Sequence, residues 1–250
     1  MQARKVHTEN GWLWIKQGWW LFKKSPILWL TLTIIGVSGL IGVSTLPMIG
    51  DPLATILFPV IFVGLMLGCR ALEHDQELDL SHLFAGFQNN ASQLMILGGI
   101  NMAFQLLILG VVNLTGGAAL VELIMSGQPI TDTAAFEKLV VEAGIAPFLG
   151  LLLFGVLMMA MQFAPMLVAF DKLSPFAALR TSLQATFRNI VTLGIYGTIM
   201  ILFAVMATLP MLLGWLILMP VMIASIYASY RDIFPLPTEV APPTTINNIA

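Results

Sequence analysis

Few side chains in this sequence could do chemistry, and most of them fall in one segment. Between positions 70 and 82 the run RALEHDQELDLSH carries Glu73, His74, Asp75, Glu77, Asp79 and His82. Carboxylate oxygens and imidazole nitrogens are the ligands of divalent cations, but no spacing here matches a recognised metal motif. The segment therefore reads as a solvated acidic loop. A second set is neutral: Asn101 and Gln105, one helical turn apart, and Gln162 interrupt otherwise apolar runs. An amide in such a run must find a partner in protein or water. Cys69 is the sole cysteine, so neither an intramolecular disulfide nor a cysteine metal cluster can form. The Met-rich run before Pro165 reads as soft packing. There is no Gly-Lys-Ser/Thr phosphate loop, no HExxH and no GxSxG. No ionisable residue lies in the centre of an apolar run, where proton-coupled transport and voltage sensing place one. Catalytic, cofactor and metal residues are accordingly assigned as none, and an enzyme is not expected.

The elements that must position these residues are set by hydropathy. The chain is 58% hydrophobic and 10% charged, too few charges to cover a water-soluble surface of this size. Apolar runs of about 20 residues, the length that crosses a bilayer, occupy approximately 26–46, 53–69, 94–114, 147–170, 190–209 and 211–230. The first pair as one helix would reach about 66 Å, so Pro47, Gly50 and Pro52 must mark a hairpin. The first run starts only at Pro26, lacks the short basic leader and small-residue cleavage signal of a removed signal peptide, and reads as a retained anchor.

Three segments outside the spans are amphipathic. In GWLWIKQGWWLF, Trp12, Ile15, Trp19 and Phe22 recur at helical spacing while Lys16, Gln17, Lys23 and Lys24 fall elsewhere, which suits a helix in the headgroup layer. LFAGFQNNASQ, with Ser81 as its N-cap, is the second. The third opens at Ser174-Pro175, with Phe176, Leu179, Leu183 and Phe187 on one stripe and Arg180, Gln184 and Arg188 on another. The residues expected to meet lipid are Trp12, Lys16, Trp19, Lys23, Lys24, Arg180 and Arg188.

The chain also repeats itself. Thr45-Leu46-Pro47-Met48 recurs as Thr208-Leu209-Pro210-Met211, Pro59 precedes Arg70 as Pro220 precedes Arg231, and Pro165 before Asp171 is a fainter copy. With both termini on one side, that side holds Arg4, Lys5, Lys16, Lys23, Lys24, Arg70, Lys172, Arg180, Arg188 and Arg231, and the other only Lys138, which makes the basic side cytoplasmic. The expected architecture is an all-α membrane protein. Its six transmembrane helices form three parallel two-span units, each preceded by a short cytoplasmic interfacial helix. Residues 1–25 form a cytoplasmic N-terminus, 26–232 the membrane domain and 233–250 a disordered tail rich in proline.

The GWLWIKQGWWLF start, the LFAGF segment and the terminal SIYASYRDIF resemble a family of uncharacterised six-span proteobacterial inner-membrane proteins, the BPSS-type hypothetical transmembrane proteins. That resemblance implies location in a bacterial inner membrane and carries no functional residues. A looser similarity is to the membrane domain attached to some glycerophosphodiester phosphodiesterases, without a segment like their catalytic domain. The expectation is a non-catalytic membrane- or partner-organising protein whose partners are membrane lipids and a membrane protein or further copies of the chain. Nucleic acid is not expected, because the basic residues flank spans. The alternative is a carrier for a small uncharged or amphipathic solute.

Overall fold

The hydropathy runs become helices, since hydrocarbon offers no other partner for backbone N–H and C=O groups. The computed structural model describes residues 3–126 and 132–235. In chain order the helices are α1 (Asn10–Lys24), α2 (Pro26–Ser44), α3 (Gly50–Glu73), α4 (His82–Gln88), α5 (Ala91–Val112), α6 (Ala118–Ser126), α7 (Thr133–Glu142), α8 (Ala146–Met161), α9 (Ala164–Phe170), α10 (Pro175–Arg188), α11 (Ile190–Thr208) and α12 (Gly214–Ile233). Six stretches are long and apolar enough to cross a membrane: α2, α3, Ala91–Ser126, Ala146–Phe170, α11 and α12. Among the described residues every regular element is helical.

Several expected bounds need correction. The second span continues past 69 to Glu73, so Arg70 to Glu73 belong to a helix and the acidic loop begins at His74. The amphipathic segment after it stops at Gln88, because Asn90 takes a left-handed conformation (φ 61°) and Ala91 already starts α5. Within the third stretch, α5 gives way to a π-turn over Asn113–Gly117, where Gly116 has φ 107°, a conformation that glycine adopts without steric cost. The tail starts later than 233: Ile233 closes α12, and Ile233 and Phe234 are buried. Residues 236–250 lie outside the described residues.

The fourth span is two helices, and the physical cause is visible. Pro165 lacks an N–H and clashes with a preceding turn, so the helix opens at Gln162. The Ser182 hydroxyl then accepts from the Phe163 N–H (3.0 Å) and donates to the Met159 carbonyl (3.1 Å). These two groups would have bonded each other in a continuous helix. Ser182 is fully buried, and its side chain is inserted into the helical ladder.

The chain divides into two compact units. Of the described residues, one contains those up to Ser38, Gly64–Ala85 and those from Gln184, and the other those within Gly39–Val63 and Gly86–Leu183. In the second unit, α5 packs on α8 and α9, and Ile108, Val112, Leu120, Ala143, Ala146 and Leu157 form a buried cluster. In the first, α1 lies lengthwise and antiparallel along α12 and also touches α11. Its buried face is Gly11, Trp14, Ile15, Gly18, Leu21 and Phe22. That face divides the stripe expected to lie in the headgroup layer: Ile15 and Phe22 are buried, while Trp12 and Trp19 stay outside. The glycines decide it. A Cβ on Gly18 would lie 2.7 Å from the Ser225 backbone nitrogen and 2.8 Å from the Val221 carbonyl oxygen, so only glycine permits this approach.

The two copies of Thr-Leu-Pro-Met share a local conformation. Met48 and Met211 both sit at positive φ, 64° and 52°, just after the proline that ends each preceding helix. Replacing Gly18 by Leu should destabilise the purified protein by about 1–3 kcal/mol or more through overpacking. At Gly39, where a Cβ meets nothing within 4 Å, Ala should instead add about 0.5–1 kcal/mol. Thermal unfolding in detergent compares the two, and a Gly18→Leu variant as stable as the parent would refute the packing.

Candidate functional site

The polar groups of the first unit converge on the C-terminal end of α12. A carboxylate there faces the negative end of the helix dipole, so Asp232 requires donors from elsewhere. Its Oδ2 accepts from Asn10 Nδ2 (2.6 Å) and Trp14 Nε1 (2.9 Å), and Oδ1 accepts from the Arg4 guanidinium. Arg4 Nε also donates to the Asp232 carbonyl at 2.5 Å. Asn189, itself buried, completes the arrangement: its Oδ1 accepts from Val6 N–H (2.9 Å) and its Nδ2 donates to the Arg4 carbonyl (3.0 Å). The chain before α1 is thereby bound to the end of α12 and the start of α11.

Glu73 presents the same problem at the end of α3, with the same kind of solution. Tyr227 donates its hydroxyl to Glu73 Oε2 at 2.5 Å, and Arg231 Nε lies 3.4 Å from that oxygen. Between these groups is a cavity of about 520 Å³. It is lined by Asn10, Leu13, Trp14, Gln17, Trp20 and Leu21 of α1, Glu73 of α3, and Tyr227, Ala228, Arg231 and Asp232 of α12. Beneath it, Trp14 meets Tyr196 edge to face with ring centroids 5.9 Å apart. Tyr196 donates to Ser225 Oγ (2.7 Å), since the Ser225 proton is directed to the Met222 carbonyl. The charges of the site balance: Arg4 and Arg231 against Glu73 and Asp232. The arrangement is a clasp whose carboxylates are engaged by their own protein donors.

The residues expected to carry function divide into several places. Trp12, Lys16 and Trp19 come together along a second groove of α1. Lys23 is exposed. Lys24 is instead drawn inward: its Nζ donates to the Leu72 carbonyl (2.7 Å) and to Asp75 (2.5 Å), and it stands 4.0 Å over the Trp20 ring. The hydrogen bond and charge of Lys24 hold the Asp75 carboxyl below its usual range, and the Ser81 backbone N–H does the same for Asp79. A depressed pKa means that this stabilisation is present above the ordinary carboxylate pKa and is lost as the pH falls through the lowered value. Arg180 is exposed on α10, and Arg188 donates to the Ala3 carbonyl (2.9 Å). Asn101, Gln105 and Gln162 are half-buried, and among the described residues no hydrogen bond joins them. The Asn101 Oδ1 is buried without a partner. Among the described residues no three His, Cys, Asp or Glu side chains are grouped to hold a metal ion.

Asn10, Trp14, Tyr227 and Asp232 were not singled out from the sequence, and Glu73 was read only as part of a solvated acidic loop. The signals were Gly11 and Gly18, two turns apart between the tryptophans, and two acids at the wrong ends of apolar helices.

The chain is 27% identical to a probable inner membrane protein of Burkholderia thailandensis, over 97% of each chain. No family model and no solved structure matches it. With six helices of membrane-crossing length, this likeness defines the class: a multi-pass inner-membrane protein, as the resemblance of its aromatic and C-terminal segments implied.

If the Asp232 clasp closes the first unit, Asp232→Asn should cost about 1.5–3 kcal/mol, the range for hydrogen bonds to a charged group. It should also speed hydrogen exchange in residues 4–9. Arg4→Ala, whose side chain is 54% exposed, should cost less than about 1 kcal/mol. Equal effects of the two would mean that the ion pair, and not the buried indole and amide bonds, holds the segment.

Proposed function

We propose that this protein is a non-catalytic organiser of the inner membrane, presenting exposed faces to lipid or to a membrane-protein partner. The observation carrying this reading is the orientation of α10. It turns Ala178, Leu179, Ser182, Ala185 and Thr186 inward, while Phe176 and Phe187 are 69% and 51% exposed. A helix that leaves both phenylalanines outside while burying Leu179 among small and polar residues is suited to contact beyond its own chain. Arg180 and Arg188 on the same helix would add about 1 kcal/mol each near anionic lipid. The engaged carboxylates of the clasp fit a structural role better than a catalytic one.

In this reading both termini are cytoplasmic, because ten of the eleven basic residues fall on one side. The spans form parallel two-span units, supported by the shared conformation at Met48 and Met211. The amphipathic segments α4 and α10 lie at the cytoplasmic surface, and α1 runs from that surface along α12. One strain series tests exposure and orientation together. A photo-crosslinking residue at Phe176 or Phe187 should give adducts with lipid or another protein, and one at buried Ala178 should give few. Periplasm-dependent reporters should be active at Asp132 and silent after Arg231. Silent crosslinkers at both phenylalanines, or reversed reporters, would end the proposal.

The orphaned Asn101 Oδ1 favours one second reading, a carrier for a small uncharged or amphipathic solute, since an unpartnered buried amide has a free acceptor for a passing donor. Asn101→Leu, Gln105→Leu and Gln162→Met combined should leave the organiser stable and functional. A stable triple variant that fails to complement a deletion strain would favour the carrier.

A further inference from the structure

We propose that the groove between α1 and the α11–α12 hairpin holds an acyl chain of one anionic phospholipid, with the lipid phosphate at Lys16 Nζ. This rests on the membrane class of the protein and is independent of the organising role. The groove encloses about 520 Å³, a volume within the range of small-molecule sites. Its walls are Trp12, Ile15 and Trp19 of α1 facing Phe203 and Met206 of α11 and Ile217 of α12. The rings are already fixed: Trp12 meets Phe203 edge-on at 6.5 Å, and Trp19 stacks on Phe22 at 5.4 Å. The floor is closed where Gly214 lies on Ala207, so close that a Cβ there would be 2.8 Å from the Ala207 carbonyl oxygen.

The occupant follows from the surroundings and the charge. Two of the three helices that form the groove are candidate membrane spans, so the medium available to fill it is the bilayer. Lys16 is the one charged side chain in the lining, and among the described residues it makes no ion pair. This contrasts with the Asp232 cavity on the other flank of α1, where cations and carboxylates balance. A neutral lipid would leave the ammonium unmatched beside apolar surface, which is costly. A net anionic phospholipid matches it with a phosphate that no cation of its own balances, unlike the phosphate of phosphatidylcholine, while its chain covers the indoles.

The test uses the full chain in mild detergent and native mass spectrometry with added phosphatidylglycerol or phosphatidylcholine. The parent should take up one phosphatidylglycerol in preference to phosphatidylcholine. Lys16→Glu and Lys16→Gln should each lower that preference about fivefold or more. Lys5→Glu, outside the groove, should leave it unchanged. Ile217→Trp, which adds volume at the rim, should lower uptake of both lipids without lowering the melting temperature. Four outcomes would overturn the proposal: equal losses at Lys16 and Lys5, unchanged uptake in a stable Ile217→Trp variant, displacement of lipid by inorganic phosphate, or a lipid-free dimer occupying the same face.

Discussion

The first unit depends on one carboxylate. Asp232 sits at the end of α12 where the helix dipole opposes a negative charge, and its side chain is only 16% exposed. Its side-chain oxygens find their donors in Asn10, Trp14 and Arg4. Those donors come from the opposite end of the chain. Meeting a local electrostatic need at the close of the last helix therefore fixes the first helix in place. Gly11 and Gly18 make the same demand sterically, by allowing α1 to approach α11 and α12 at backbone distance.

Glu73 shows that this is a pattern and not a single event. It also ends an apolar helix in a carboxylate, and it also draws its partners from α12, through Tyr227 and Arg231. Lys24 caps the same end of α3 through the Leu72 carbonyl, a cation at the negative helix end and so on the favourable side of the dipole. Acids that count as solvated charges in a linear reading are here the joints between helices. Their engagement leaves both carboxylates of the polar cavity bonded to donors of their own chain.

The two flanks of α1 differ in a way that matters for function. Among the described residues, the charges on one flank, Glu73, Arg231 and Asp232, each face an opposite charge, while on the other Lys16 is the charged side chain of an otherwise aromatic and aliphatic lining. The helix is thus clasped to its own protein along one flank and open along an apolar groove on the other. The outward phenylalanines of α10 have the same character.

Length and apolarity alone determined the class, the six crossing helices and the approximate position of each turn, because in hydrocarbon a backbone has no alternative to helix over such runs. Pro47 and Pro210 were legible as breaks for the same reason: a missing N–H is a property of one residue. The lipid-facing candidates Trp12, Lys16 and Trp19 were legible as types, and the structure does gather them on one groove. Which face of α1 or α10 points inward was decided only by tertiary structure. The aromatic stripe in α1 and the Phe176–Phe187 stripe in α10 suggested faces by hydrophobicity, but where lipid and protein interior are equally apolar, packing is won by close approach and hydrogen bonding. Gly18, Ser182 and Asn189 therefore outrank the larger side chains. The partners of Asp232 and Glu73 were likewise beyond a linear reading, since a carboxylate's donors are set by what the fold brings within 3 Å and not by their distance along the chain.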